Sequence, residues 1–252
     1  MTFLLTPPWA VLSIVGPDSA TWLNGIITCD VTTVVPGRGN WGLLLSKPGK
    51  IQAELQLVGA ADRLFVAVSG GDASEVEKTL EHYLVMEDAE LTSAPELRFV
   101  ALYGEGAEEA ARRLDPNASR MPWIEGRAAG FVVNASELDD VLARARDAGI
   151  DVEPDDAAAR LVELGMPRYG VDFSAKDNPH EASLERRTVS WTKGCYLGQE
   201  VVCMQDMRGK VKRRLVLLEG ADLDVEPGTP VLVGTESIGQ VTSRGRERVL
   251  AS

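Results

Sequence analysis

From Ile51 to Val58 the chain alternates between apolar and polar residues. Ile51, Ala53, Leu55 and Leu57 fall on one side of an extended strand and Gln52, Glu54 and Gln56 on the other. A period of two excludes a helix. Just upstream, residues 41–46 (WGLLLS) form a second strand-like run. Lys47-Pro48-Gly49-Lys50 joins the two, with Pro-Gly suited to the centre of a type II turn. The stretch therefore reads as a β-hairpin with one apolar face that something else must cover. Its polar face has two readings, a solvated strand surface or a pocket wall of amides and a carboxylate.

The cover comes from neighbouring helix signals. Residues 10–15 (AVLSIV) and 63–69 (RLFVAVS) add strands, and residues 17–25 form a short helix entered through Pro17 and stopped at Gly25. Ser74 and Glu77 are spaced as a capping box ahead of Val76, Leu80 and Leu84 on one helical face. The same grammar then repeats: strand 98–104, helix 107–114, strand 130–134, and a helix from Ser136 to Ala148 that turns Leu138, Val141, Leu142 and Ala145 inward. Short strands in 212–220, 229–234 and 237–243, divided by Pro-Gly and Gly turns, suit a small β-barrel. The expected fold class is α+β, two α/β sheet layers followed by a short C-terminal β-barrel, either truncated or closed by a partner. Its parts would be 1–95, 96–205 and 206–252.

Charge and cysteine usage narrow the function. A formal charge of −12 over 252 residues argues against a general nucleic-acid or anionic-membrane surface. The start lacks a basic secretory leader and no apolar run approaches membrane length, so the expectation is a cytoplasmic protein. Cys29, Cys195 and Cys203, an odd set without C-x-x-C spacing, read as reduced thiols, with Cys29 and Cys203 as buried packing. Three thiolates cannot hold a cluster within one chain, so no resident metal is expected; a cluster bridging two chains stays open. Gly37 to Gly42 matches G-x-G-x-x-G, but a strand rather than a helix follows it, which excludes a dinucleotide site.

The densest chemistry lies in residues 193–200, KGCYLGQE. Lys193 stands two residues before Cys195, and a cation beside a thiol enriches the reactive thiolate. Glycines on either side let the backbone approach a ligand closely; the alternative is a tight loop with a packed thiol. Farther on, Arg208, Lys210, Lys212 and Arg214 would share one face if extended. They read either as a guarded strand edge or as a landing site for a small polyanion. Glu163 sits at a helix end, where the macrodipole disfavours a carboxylate, and calls for solvent or a hydrogen-bond-donating ligand to compensate it.

Together these segments resemble the YgfZ family of tetrahydrofolate-binding proteins, related to the T-protein (aminomethyltransferase) of the glycine cleavage system. The octapeptide 193–200 is the specific part. Residues 11–32, 43–58, 163–185 and 237–246 resemble family segments in the right order. The resemblance implies a folate-binding region over 1–205 with tetrahydrofolate, or a polyglutamylated one-carbon derivative, in a central channel. It further implies iron–sulfur proteins or their assembly factors as partners, an essential Cys195 beside Lys193, and Glu163 holding the pterin. Gln52, Glu54, Gln56, Tyr169, Tyr196, Gln199 and Arg208 complete the candidate folate site of a chain expected to be monomeric. Where T-proteins carry two adjacent aspartates, this chain has Ala53-Glu54, which leaves enzymatic activity undecided. Met204 stands where the family usually has arginine, and the barrel is shorter than in family members. Two rival readings stay open: a folate-dependent aminomethyl- or methyltransferase, and a ligand-free docking scaffold.

Overall fold

The computed structural model describes residues 1–124, 126–209, 211–220 and 225–252. Its strands are β1 (Phe3–Leu5), β2 (Ala10–Val15), β3 (Asn40–Leu45), β4 (Ile51–Gly59), β5 (Arg63–Gly70), β6 (Glu90–Ser93), β7 (Leu97–Tyr103), β8 (Ser119–Arg120), β9 (Ala128–Asn134), β10 (Asp151–Val152), β11 (Val216–Glu219), β12 (Pro230–Val233), β13 (Glu236–Arg244) and β14 (Arg248–Ala251). Its helices are α1 (Ser19–Asn24), α2 (Ala73–His82), α3 (Ala107–Leu114), α4 (Leu138–Asp147), α5 (Ala157–Glu163), α6 (Glu185–Thr188) and α7 (Gln199–Arg208). None is long and apolar enough to cross a membrane among the described residues.

The expected hairpin is β3–β4, but its turn closes from Ser46 O to Gly49 N, so Lys47-Pro48 is the central pair and Gly49 follows at φ +75°. The hairpin belongs to an antiparallel sheet in the order β3-β4-β5-β2-β6. Leu12, Leu55, Leu57 and Val66 meet Trp22 and Leu23 of α1 and Val76 and Leu80 of α2 on one face. Each such buried aliphatic contributes about 1.5–3 kcal/mol, which is why the helices cover that face. The N-cap of α2 is Asp72, not Ser74: its carboxylate accepts from Ser74 N at 2.9 Å and Glu75 N at 3.3 Å.

A second sheet, β10-β1-β7-β9-β8, carries α3 and α4 on its outer face through Ala107, Ala111, Leu114, Val141 and Ala145. The helix expected over 136–148 begins as a 3-10 turn at Ala135–Glu137, and Gly149 at φ +74° ends it. One boundary needs correction. Phe3–Leu5 pairs with β7 and β10, so the first residues belong to the second sheet. The prolines at 7 and 8, lacking backbone donors, end β1 before the chain crosses to β2.

The inner faces of the two sheets meet in a shared core containing Trp41, Leu43, Phe99, Tyr103 and Trp123. The barrel region is a four-stranded antiparallel sheet in the order β11-β14-β13-β12. It begins at Val216, so the boundary expected at 205 falls inside α7. The basic run is likewise not a strand: Arg208 closes α7, where a cation suits the dipole, and Lys212 to Arg214 lie in a loop. Lys210 lies outside the described residues.

Candidate functional site

The polar face of β4 is split. Gln52 is exposed, whereas Glu54 and Gln56 are buried in the inter-sheet core, 5% and 1% exposed. A solvated strand face is therefore excluded for these two. Gln56 Nε2 donates to Ser69 Oγ at 3.0 Å and, more weakly, to Glu54 Oε1 at 3.4 Å. Its Oε1 accepts from the indole N–H of Trp123, which arrives from the opposite subdomain. Burial pushes the Glu54 carboxyl up to about 8, with Trp41 and Ser69 holding it partly back. Glu54 is thus a neutral carboxylic acid near pH 7, able both to donate and to accept. The Trp41 N–H lies near enough to act on Glu54 yet outside hydrogen-bond geometry, and it is buried with no partner among the described residues.

Aromatic rings wall this group. Phe3 stacks on Tyr103 at 5.4 Å and Tyr103 on Trp123 at 5.3 Å. Burial, then the charge of Glu54, pushes the Tyr103 phenol above its ordinary range, so it stays protonated. Tyr169 comes close because β5 offers a bare position opposite Glu54. Gly70 pairs with Glu54, and a Cβ on Gly70 would lie 2.4 Å from the Tyr169 ring. The fold therefore joins Glu54, Gln56 and Tyr169, which the sequence nominated, with Trp41, Ser69, Tyr103 and Trp123, which it did not. Trp41 was within reach of hairpin pairing, since it lies opposite Gln56. Trp123 and Tyr103 carry no local signal.

The signature loop forms a separate, adjoining group. Backbone bonds from Ser190 N to Thr28 O and from Leu197 N to Ile26 O lay it along residues 26–28. Lys193 corrects the sequence reading. Its ammonium donates to the carbonyls of Ile27 and Cys29, both at 2.7 Å, and lies 5.4 Å from the Tyr196 ring. It fastens the loop to residues 27–29, and burial lowers it to about 8. Cys195 is exposed. Burial pushes the Cys29 thiol up to about 12, which makes it inert, and Cys203 is only half-buried, short of the burial expected for it.

Gly198, at φ +79°, seats the start of α7 on the hairpin turn, where a Cβ would lie 2.7 Å from Ser46 O. Gln199 is half-buried in that first turn. Tyr196 reaches the inter-sheet core, and its hydroxyl is buried without a partner among the described residues.

Glu163 and Arg208 join neither group. The Glu163 carboxylate accepts backbone N–H bonds from Arg246, Glu247 (2.7 Å) and Arg248 (3.3 Å), so the β13–β14 turn compensates it. Arg208 is exposed. Among the described residues no group of His, Cys, Asp or Glu is arranged to hold a metal.

Two sheets packed face to face, helices outside and a small antiparallel sheet appended, define a protein of the glycine cleavage T-protein fold. Aligned over 99% of this chain and 77% of the other, it matches the aminomethyltransferase T of Bartonella henselae with a TM-score of 0.79 at 16% identity. By sequence the chain is similar to proteins named tRNA-modifying protein YgfZ. It is 28% identical over 233 residues to the tRNA-modifying protein YgfZ of Vibrio vulnificus strain YJ016, covering 87% of this chain and 69% of that one. Against the same-named protein of Shigella boydii serotype 4 it is 25% identical over 238 residues, covering 88% and 72%. No family model matches the chain.

Proposed function

We propose that this chain is a folate-binding accessory protein that acts in the cytoplasm on the assembly or repair of iron–sulfur proteins, with Cys195 as its reactive thiol. The relatives' name adds tRNA-modifying proteins as the client class we favour. The observation that carries the folate reading is the neutral Glu54 carboxyl beside the unpartnered Trp41 N–H, in the core between the two sheets. A pterin presents a ring amide and an amino group, which suit a carboxyl that donates and accepts, an amide at Gln56 and an indole donor. When bound, the folate supplies a one-carbon unit. Glu54, Gln56 and Trp41 would orient the ring, and the surrounding aromatic residues exclude water. Cys195, exposed and tethered through Lys193, is free to meet a client or its cluster.

Tetrahydrofolate titration followed by tryptophan fluorescence tests this. Saturable quenching is expected, weakened about tenfold or more in Glu54→Leu, the cost of one hydrogen bond to a buried ionisable group. No saturable signal would favour the docking scaffold. Cys195→Ala should bind folate like the parent and fail to support a client enzyme; full support would remove the thiol from the mechanism.

A second reading also rests on Glu54. A carboxyl that titrates near neutrality can move a proton, as an aminomethyltransferase requires, although its side chain is one methylene longer than aspartate. Formation of methylenetetrahydrofolate from an aminomethyl donor, lost in Glu54→Gln, would establish that activity.

A further inference from the structure

Beside α7, on different residues from the Glu54 group, lies a cavity of about 630 Å³, within the range of small-molecule sites. Its wall holds His180 and Glu185, 4% and 5% exposed, together with Gln205. Both ring nitrogens of His180, Glu185 Oε2 and Gln205 Oε1 are buried without a hydrogen-bond partner among the described residues. Asp206 stands 3.5 Å from His180 Nε2, which does not satisfy it. Native folds leave few such atoms unpaired, and several on residues that line one cavity mark a place for a ligand.

The chemistry of the wall defines that ligand. Glu185 Oε2 and Gln205 Oε1 are acceptors, so the ligand brings N–H donors. Trp191, 45% exposed and edge-on to His180 at 6.1 Å, offers a flat face on which a ring can stack. Arg186 and Arg214 line the same cavity, so its rim can hold an anion. Arg214 already bonds Glu185 Oε1 at 3.0 Å, which holds that carboxylate in place and leaves its other oxygen unpaired among the described residues. The overall charge of −12 opposes a long polyanion but not a small one bound locally.

We infer that this cavity is a nucleotide site. It takes a base bearing an exocyclic amine, stacked on Trp191 with its amino group at Glu185 and Gln205 and its phosphate at Arg186 and Arg214. A free nucleotide and a nucleotide of single-stranded RNA share that chemistry.

Calorimetric titration of the full chain with CMP, AMP, GMP and UMP tests it. The three amino-bearing nucleotides should bind saturably and UMP at least about tenfold more weakly, because uracil has no amine for the two acceptors. Trp191→Ala should weaken CMP binding about tenfold or more while leaving the thermal midpoint and tetrahydrofolate binding unchanged. Gln205→Leu, similar in volume, should narrow the gap between CMP and UMP. Tighter binding of a short oligocytidylate than of CMP identifies RNA as the source, and equal binding identifies the free nucleotide. No saturable binding to about millimolar, UMP equal to CMP, or Trp191→Ala without effect overturns the inference. So does displacement of the nucleotide by tetrahydrofolate.

Discussion

Glu54→Gln is the most informative single change. In the folded chain burial holds the Glu54 carboxyl at about 8, against 4.5 for an unhindered glutamate. Between those values the native state keeps a proton that the unfolded state has released, so stability falls as pH rises. At about 1.4 kcal/mol per pK unit, the full difference is about 4–5 kcal/mol, of which about 3 kcal/mol is already lost at pH 7. The penalty is absent below the unfolded value, where both states are protonated, and levels off above about pH 8. Glutamine keeps the shape without the charge, so the variant should match the parent below about pH 4 and exceed it by about 3 kcal/mol at pH 7. Urea unfolding of both proteins at a series of pH values measures this. If the parent's stability does not fall more steeply with pH than the variant's, Glu54 is not a neutral buried acid, and the folate geometry built on it fails with it.

Gly70→Ala should push the Tyr169 ring away from Glu54, because the new Cβ meets it at 2.4 Å, and should weaken tetrahydrofolate binding more than it lowers the thermal midpoint. Lys193→Met leaves the carbonyls of Ile27 and Cys29 without their ammonium donor. We expect a loss of about 2–3 kcal/mol, read as faster amide exchange in residues 190–197, with no change in the rate at which Cys195 is alkylated. Glu163→Ala strips one acceptor from three backbone amides and should raise exchange at Arg246, Glu247 and Arg248 first. In the native protein a thiol reagent should modify Cys195 rapidly and Cys29 only on unfolding, and Cys195→Ser should abolish the fast phase.

Much of the architecture follows from local pattern. The strict alternation of 51–58 makes a strand under any tertiary arrangement. Its apolar face needs α1 and α2, and the second strand–helix unit follows the same logic. The 193–200 segment stood out in the sequence for its density of glycines, a lysine and a thiol. What one residue's neighbours cannot reveal is direction. Lys193 sits two residues from Cys195, yet its four-carbon stem carries the ammonium to carbonyls more than 160 residues earlier in the chain. Glu163 called for a donor, and the donors came from a turn 83 to 85 residues away.

By itself the sequence determined the hairpin, the two helix-covered units and the −12 charge, since these depend on periodicity, turn chemistry and composition. The tertiary structure alone decided that Gln52 faces solvent while Glu54 and Gln56 do not. The second sheet closes over the middle of β4 and brings Trp123 onto Gln56. The same closure, by removing water, turns an ordinary surface glutamate into an acid that titrates near neutrality.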